Sequence, residues 1–302
     1  MALQSSGAIS INDIHIEAGG SSGTLCTIND SDIRGLISKA SGAQSSFNEF
    51  YGASAAGLYN SSSVNHIGNK KAGYGYYSPH ASGTISMPSN GSGWWNFYSS
   101  NFLAPLSGWN RYIVIIQAGC NFSGSAAYPS SAYYGSTSMT ALGQYGAGSG
   151  STNIGCSVWY CVDNSTTSLQ NATLYVNTSA YDGTQGHVCS MVMFYAKGTL
   201  STSMGGSNSL GGSAAISRNR TTTAQSVILG AFATRNSATG TWASPMNSLA
   251  NNIDVVTSEY MHTAYDVVAT TASTTTNAAM TGSLYANSGS YRAVICANMS
   301  FS

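Results

Sequence analysis

The side chains that could carry out acid–base chemistry are few and widely spaced along the chain. Hydrolysis of a glycosidic bond requires two carboxyl groups that flank the scissile bond. The densest combination is Glu259, His262 and Asp266, but on an alternating strand Glu259 and His262 point to opposite faces. The sequence therefore favours a solvent-facing strand end over a catalytic centre, and predicts that the chain is not an enzyme. Beyond residue 53 the carboxylates are Asp163, Asp182, Asp254, Glu259 and Asp266.

Metal ligands and thiols are equally scattered. No two histidines have the spacing of ligands on one helix, and no cysteines form a C-x-x-C pair. We therefore expect no metal and no cofactor. Because no export signal is seen, we also expect reduced thiols, buried in strands, without disulfides. The residues concerned are His15, His66, His80, His187 and His262, and Cys26, Cys120, Cys156, Cys161, Cys189 and Cys296.

Aromatic residues beside predicted turns are more informative than the titratable groups. Exposed aromatic rings stack on sugar faces and anchor protein interfaces. The alternative is that these rings pack against the edge of the β domain. Trp159 lies in the middle of a predicted strand and is expected in the core. The candidate contact residues for a host glycan or protein are Trp94, Trp95, Tyr133, Tyr134 and Trp242.

The composition is that of a folded chain with very little charge. Charged residues make up 7% of the 302 residues, against about 25% in ordinary soluble domains. The net charge is zero and the only adjacent basic pair is Lys70 and Lys71, which disfavours a nucleic-acid partner. Apolar runs such as 112–116 are too short to cross a bilayer, and the first ten residues do not resemble a signal peptide. We therefore expect no membrane insertion.

Residues 1–53 differ from the rest and are predicted to form an anchoring and assembly module of two or three short helices. Seven of the twenty charged residues lie within the first 50. Cap residues precede apolar residues at helical spacing, first after Ser10 and again after 29–32. The segment is expected to be too small for a core of its own and to pack on something else. Its candidate anchor residues are Ile11, Ile14, Ile33, Arg34, Leu36, Phe47, Phe50 and Tyr51.

From about residue 84 onward the pattern predicts strands separated by turns. This pattern indicates a mainly β fold, a jelly-roll-type β-sandwich over residues 84–302. Residues 54–83 are predicted to be a connector, with a strand laid along the main domain as the alternative. The Gly/Ser-rich stretch 205–212 is predicted to be a bend between two passes through one sandwich. The predicted strands cover 111–117, 157–162, 172–177, 188–196, 225–233, 257–269, 278–285 and 291–301.

Two stretches of the chain resemble known proteins. The text SSGAISINDIHIEAGGSSGTLCTINDSDIRGLISKASGAQSSFNEFYGAS, residues 5–54, resembles an opening shared by structural proteins of marine and cyanobacterial tailed bacteriophages. In that family the opening precedes varied C-terminal domains, as an attachment module would. The segments NRYIVIIQAG, SSAYYGSTSMTALG, SVWYCV, ATLYVNTS and SVILGAFATRNSATGTW are similar in order to a β-sandwich of phage and bacterial surface proteins. This second resemblance spans roughly residues 109–302.

The resemblance implies a virion structural protein. The first hypothesis is a tail-associated fibre or adhesin that docks through residues 1–53 on other virion proteins and turns its β-sandwich outward. The second is a capsid decoration or head-fibre protein, and the third is a virion-borne polysaccharide hydrolase, which the shortage of carboxylates disfavours. We expect a homo-oligomer, with a trimer among the candidates, and a host surface glycan or protein as a further partner.

Overall fold

The computed structural model describes most of the chain. The described residues are 3–18, 20–37, 39–40, 42–53, 57–59, 64–73, 84–87, 98–106, 108–121, 127–149, 152–176, 186–210, 217–222, 225–235, 241–242, 244, 246–256, 259–268, 274–281 and 291–301.

The N-terminal segment forms short helices, as predicted. Helix α1 spans Ile11–Glu17 and helix α2 spans Ser31–Gly35, and a 3-10 helix at Phe47–Phe50 follows. Helix α2 is shorter than its apolar pattern suggests, because the amides of Leu36 and Ile37 bond three residues back and tighten the last turn. A second 3-10 helix lies at Ser99–Asn101.

The rest of the described chain is mainly β, as predicted, and every described strand pair is antiparallel. The first ten strands are β1 (Gly57–Leu58), β2 (Asn65–Gly73), β3 (Thr84–Met87), β4 (Asn110–Asn121), β5 (Pro129–Tyr134), β6 (Thr137–Ser138), β7 (Thr140–Ser149), β8 (Thr152–Val162), β9 (Ala172–Val176) and β10 (Gly186–Lys197). The remaining strands are β11 (Leu200–Leu210), β12 (Ser217–Thr222), β13 (Ser226–Arg235), β14 (Thr241–Trp242), β15 (Asn247–Val256), β16 (Glu259–Val268), β17 (Thr274–Thr281) and β18 (Tyr291–Phe301).

These strands form four sheets. The first inner sheet has the order β1-β10-β4-β8-β7, with β2 also paired to β10, and the first outer sheet has the order β3-β9-β5-β6. The second inner sheet has the order β11-β18-β13-β16-β15, and the second outer sheet has the order β12-β17-β14. All strands of the first two sheets precede all strands of the second two.

The two inner sheets are buried on both faces, which explains their continuous apolar sequences. Val114 on β4 packs in a central core with Leu229 on β13, between the two inner sheets. The neighbouring Ile115 faces the first outer sheet, and Ile228 faces Trp242 of the second outer sheet. A strand covered on both sides needs apolar residues at every position rather than at alternate ones.

Each half of the β region repeats one strand order. The eight longer strands of the first half are β2 to β10 without the short β6, and they can be numbered one to eight in chain order. In this numbering the first inner sheet has the order 1-8-3-6-5, and the first outer sheet has the order 2-7-4. Strands β11 to β18, numbered in the same way, give the same two orders. The prediction of two passes through one sandwich is therefore wrong, because each half builds its own pair of sheets and the halves meet through the central core.

Two local predictions also change. The bend predicted at 205–212 is wrong for its first six residues, because they belong to β11 and pair along β18. Backbone hydrogen bonds to β18 override the weak strand propensity of glycine and serine there. Within the predicted connector, β1 and β2 pair with β10, which is the alternative of a strand laid along the main domain.

Candidate functional site

The N-terminal module has a small core of its own, contrary to the expectation that it is too small to have one. Ile14, Ile33 and Phe50 are fully buried and Leu3 is nearly so. The two ends of the module are tied together by a hydrogen bond from the Leu3 amide to the Ala53 carbonyl, 2.8 Å long. Leu3 near the N-terminus thus meets side chains from two helices and a 3-10 helix in one core, and the two ends of the module are bonded to each other, which makes it a self-closing unit.

Local polar contacts fix each helix of the module. The Ser10 hydroxyl accepts from the Asp13 amide at 3.1 Å, and the Asp13 carboxylate accepts from the Ser10 amide at 2.9 Å. Hydrogen bonds from Ser10 hold the pKa of Asp13 below its usual range. At the 3-10 helix the Ser46 amide donates to the Glu49 carboxylate at 2.8 Å, and Lys39 bonds to Glu49 at 2.6 Å. These caps satisfy amides that a short helix leaves unpaired.

The predicted anchor residues divide into internal and surface groups. Ile14, Ile33 and Phe50 are fully buried within the module, so these predicted anchor residues form its core and do not lie on its surface. Ile11 and Leu36 pack partly buried against this core. The Tyr51 hydroxyl donates to the Gly7 carbonyl at 2.5 Å. Phe47 alone among the predicted residues is an exposed large apolar side chain.

Two exposed apolar residues of the module were missed by sequence reasoning. Leu25 is 98% exposed and Ile16 is 46% exposed, close to the 42% of Phe47. The spacing of Ile16 could have predicted its exposure, because it does not lie on the same helix face as Ile11 and Ile14. Arg34 is buried, and its Nε atom has no hydrogen-bond partner. The module therefore shows apolar side chains to solvent and carries a guanidinium whose Nε atom is not bonded to any described residue.

The aromatic residues predicted to contact a host lie in different environments. Trp94 and Trp95 lie outside the described residues. Tyr134 is 1% exposed inside the core beneath the first outer sheet, and Trp242 is also buried, so the prediction of exposed rings is wrong for both. Tyr133 remains at the surface. Adjacent residues of a strand point to opposite faces, so a Tyr-Tyr pair cannot place both rings outside.

Tyr133 forms a surface aromatic pair that the sequence did not single out. Its ring meets the ring of Tyr175 edge-on, with centroids 5.8 Å apart at 85°. Tyr175 is 40% exposed and lies on β9, beside β5 in the first outer sheet. The alternation of β9, with Ala172, Leu174 and Val176 inside, was the signal that could have found it.

A second aromatic group is formed by Tyr59, Trp109 and Tyr195. Tyr59 contacts Trp109 with ring centroids 5.1 Å apart and Tyr195 with centroids 5.8 Å apart, both edge-on. Tyr195 donates its hydroxyl proton to the Ala104 carbonyl, which ties the loop before β4 to β10. This group brings together three residues from distant parts of the chain, so no local sequence pattern could reveal it.

The one fully buried ion pair of the described chain is a structural brace. Arg111 donates from Nη2 to the Asp163 carboxylate at 3.1 Å, from Nε to the Asp163 carbonyl and from Nη1 to the Leu103 carbonyl, each at 2.7 Å. Burial opposes ionisation of Asp163, but hydrogen bonds from Thr166 and Ser165 outweigh it and lower its pKa to about 2. A carboxylate this firmly engaged is suited to holding β4 against β8 rather than to transferring protons.

A second buried polar group lies between the first inner and first outer sheets. The Gln117 side-chain nitrogen donates to the Ala127 carbonyl at 3.0 Å and lies 2.9 Å from Nδ1 of His187. Nε2 of His187 has no hydrogen-bond partner among the described residues, and burial lowers the pKa of this histidine to about 4. Gly119 lies opposite His187 on β4, where the Cβ atom of any other residue would be 2.0 Å from the imidazole. A neutral imidazole is thus built into the core.

The two halves are joined by polar contacts at the margin of the central core. Asn69 on β2 donates to the Leu249 carbonyl on β15 at 2.9 Å, and Ser190 on β10 lies 2.5 Å from Thr263 on β16. The Ser190 hydroxyl is also 2.5 Å from the Asn69 side-chain oxygen. Buried hydrogen bonds require specific partners, so these contacts fix how the inner sheets sit on each other.

The other chemical groups do not converge on one site in the described part of the chain. No cluster of three His, Cys, Asp or Glu side chains there could hold a metal ion. All six cysteines are free thiols, of which five are buried, and burial raises the pKa of Cys161 to about 12. Glu259 and His262 lie on β16 opposite Arg235 and Phe232. None of the described helices is both long and apolar enough to cross a membrane.

Comparison with known proteins gives no assignment: no family model matches the chain, and no curated protein matches it significantly. The fold and the geometry define the class of protein by themselves. It is a mainly β protein with a self-closing N-terminal helical module, two inner sheets packed on each other and surface aromatic pairs.

Proposed function

We propose that the chain is a structural protein of a bacteriophage virion, a tail-associated appendage of the fibre or adhesin type. Residues 1–53 attach it to other virion proteins, and the β region faces outward. The observation that carries this proposal is the N-terminal module, which completes a core of its own and still exposes Ile16, Leu25 and Phe47. These three side chains are the exposed large apolar groups of the described part of the module, and they are therefore its candidates for contact with a partner. The resemblance of residues 5–54 to the opening of tailed-phage structural proteins supports the same role.

We further propose that each half of the β region is a jelly-roll-type sandwich. A jelly roll has eight strands in two sheets joined by Greek-key connections. The repeated orders 1-8-3-6-5 and 2-7-4 support this, because the last strand lies beside the first and the seventh beside the second. In the first half, β6 pairs with β5 in the outer sheet before β7 joins the inner sheet. The fifth strand position is thus shared between the two sheets, as expected where a strand switches sheets.

The outward face is proposed to meet a host glycan or protein through Tyr133 and Tyr175. Both rings lie on the solvent side of the first outer sheet. At high ionic strength the Debye length falls to a few Å, so charges contribute little to long-range attraction. Stacking of sugar faces on tyrosine rings is not screened by salt and suits a chain with 7% charged residues.

The attachment role can be tested with surface substitutions that leave the module core intact. The double variant Leu25→Asp and Phe47→Asp adds charge where the module exposes apolar groups. We expect this full-length variant to fold normally but to be depleted from purified particles, as measured by mass spectrometry of virions against soluble protein.

The matched control is Ser22→Asp, which adds a carboxylate to the exposed loop that contains Leu25 without removing an apolar group. It should be incorporated like the unmodified chain. Normal incorporation of the double variant would overturn the proposed attachment surface. Thermal unfolding of all three proteins would separate loss of attachment from loss of fold.

A further inference from the structure

We propose that strand β11 is the edge through which a second copy of this chain binds. The β11 strands of the two copies pair antiparallel about a twofold axis. The second inner sheet of one copy thereby continues into the second inner sheet of the other. This inference is independent of the virion role. It follows from three features of β11: its unpaired edge, its lack of the devices that block edge pairing, and the symmetry of its sequence.

Strand β11 is a long edge strand. It pairs with β18 over all eleven residues from Leu200 to Leu210 without a register shift, and no described strand pairs with its other side. Residues 201–204 are exposed. An edge strand presents a row of unpaired amides and carbonyls, which is a template for pairing with another strand.

The other long edges of the inner sheets carry features that oppose such pairing. Strand β15 has three register shifts and contains Asp254, and β7 has one register shift. Strand β2 contains Lys70 and Lys71 and also has a register shift. Irregular registers and charged residues, lysine above all, are the usual protection of exposed edges. In the outer sheets, the edges are short or, in β12, contain Arg218 and Arg220.

By contrast, β11 has no charge, no proline and no bulge in its sequence LSTSMGGSNSL. A regular and uncharged edge strand of eleven residues is a template for association, so it is unexpected in a chain for which association serves no purpose. Because the other long edges are protected, the unprotected edge of β11 is best explained as an interface.

The sequence of β11 also reads nearly the same in both directions about Gly205. Antiparallel pairing with a second copy in this register places Leu opposite Leu, Ser opposite Ser at two positions, Thr opposite Asn, and Met opposite Gly. A twofold interface brings the same patch together from both subunits, so the patch must complement itself. In this register the opposed pairs are Leu200–Leu210, Ser201–Ser209, Thr202–Asn208, Ser203–Ser207, Met204–Gly206 and Gly205–Gly205.

This register makes a specific test available, because residue 203 of one copy faces residue 207 of the other. In the variant Ser203→Lys with Ser207→Lys, like charges face each other twice across the axis. In the variant Ser203→Lys with Ser207→Glu, opposite charges face each other twice. Within one chain the two positions are four residues apart on a strand, about 13 Å, so they do not neutralise each other directly.

The measurement is sedimentation velocity of the full-length chain over a wide concentration range. We expect the unmodified chain to form a dimer of twice 31.2 kDa. The Lys/Lys variant should have a dimer dissociation constant raised by about tenfold or more, because opposed like charges destabilise strand pairs, and the Lys/Glu variant should stay close to the unmodified chain. The control Ser248→Lys, exposed on the protected edge β15, should leave the dimer unchanged.

Several outcomes would overturn the inference. The first is that the unmodified chain sediments as a monomer or a trimer. The second is that the Lys/Lys variant dimerises as strongly as the unmodified chain. The third is that the Lys/Glu variant dissociates as readily as the Lys/Lys variant. Thermal unfolding of each variant checks the fold. If the Lys/Lys variant is unfolded, hydrogen exchange of the unmodified chain decides instead: amides of 200–210 should gain protection as concentration rises, and concentration-independent exchange would contradict the pairing.

Discussion

At the scale of single residues, Arg111 and Asp163 show how a chain with few charges uses a buried pair. The guanidinium reaches the Leu103 carbonyl, the Asp163 backbone and the Asp163 carboxylate, and it lies over the Phe102 ring with 5.0 Å to the centroid. The pair therefore links the loop before β4 to the turn after β8. The sequence predicted strands at 111–117 and 157–162, but it could not indicate that the start of the first is bonded to the residue that follows the second.

Replacing Arg111 with Met should be strongly destabilising. It leaves the Asp163 carboxylate buried without its counter-charge, which typically costs about 3–5 kcal/mol of unfolding free energy. The double variant Arg111→Met with Asp163→Asn should recover part of this loss, because the uncompensated charge is gone. Denaturant titration of both variants measures the difference. A loss for the single variant as small as that of a surface substitution, about 0.5 kcal/mol, would contradict the bracing role.

His187 predicts how stability depends on pH. Its pKa in the folded chain is about 4, below the ordinary 6.5, because burial disfavours the charged imidazole. As pH falls below 6.5 the unfolded chain binds a proton that the folded chain does not, so stability is lost between about pH 6.5 and 4, by about 3 kcal/mol. Below pH 4 the folded chain also binds the proton and the loss levels off.

The variant His187→Gln should lack this part of the acid sensitivity, since its side-chain oxygen can still accept from Gln117. Burial also lowers the pKa of His66, so the variant is expected to keep a smaller residual dependence. Unfolding free energies of both proteins at pH 7.5 and pH 4.5 provide the comparison. Equal losses in the variant and the unmodified chain would show that His187 is not the group responsible.

At the scale of elements, strand alternation decides which aromatic residues can act at the surface. In β5 the burial of Tyr134 and the half-buried position of Tyr133 follow from the period of two, as does the outward position of Tyr175 in β9. This much was available from the sequence. The pairing of β5 with β9, which brings Tyr133 and Tyr175 together, is a long-range contact that no local pattern encodes.

Alanine substitutions should separate the two kinds of tyrosine. Tyr134→Ala should cost about 3–5 kcal/mol of stability, as for other large aromatic residues removed from a core. Tyr175→Ala should leave the melting temperature nearly unchanged but weaken adsorption to host cells, by about 2 kcal/mol or more if it is a binding hot spot. Adsorption and thermal unfolding are measured for each variant. If Tyr175→Ala loses adsorption only together with stability, the contact surface lies elsewhere.

At the scale of the whole molecule, the mainly β fold and the N-terminal helices could be predicted, but the division of the β region into two pairs of sheets could not. Continuous apolar runs such as those of β4 and β13 show that a strand is buried on both faces, but not which sheets cover it. The two halves share a strand order without a clear sequence repeat, so the duplication is visible only in the pairing. The core of the N-terminal module was likewise missed, because it depends on contacts between residues as distant as Leu3 and Ala53.

The proposed role of this chain is an outward-facing appendage on a phage tail, attached by its N-terminal module. The most direct test is electron microscopy of purified particles that carry a label at the C-terminal end of the chain, beside untagged particles as the control. The account predicts label on the tail, displaced outward from its axis. Label on the shell would contradict the tail position and indicate a capsid decoration or head fibre, and particles without label would contradict the virion role itself.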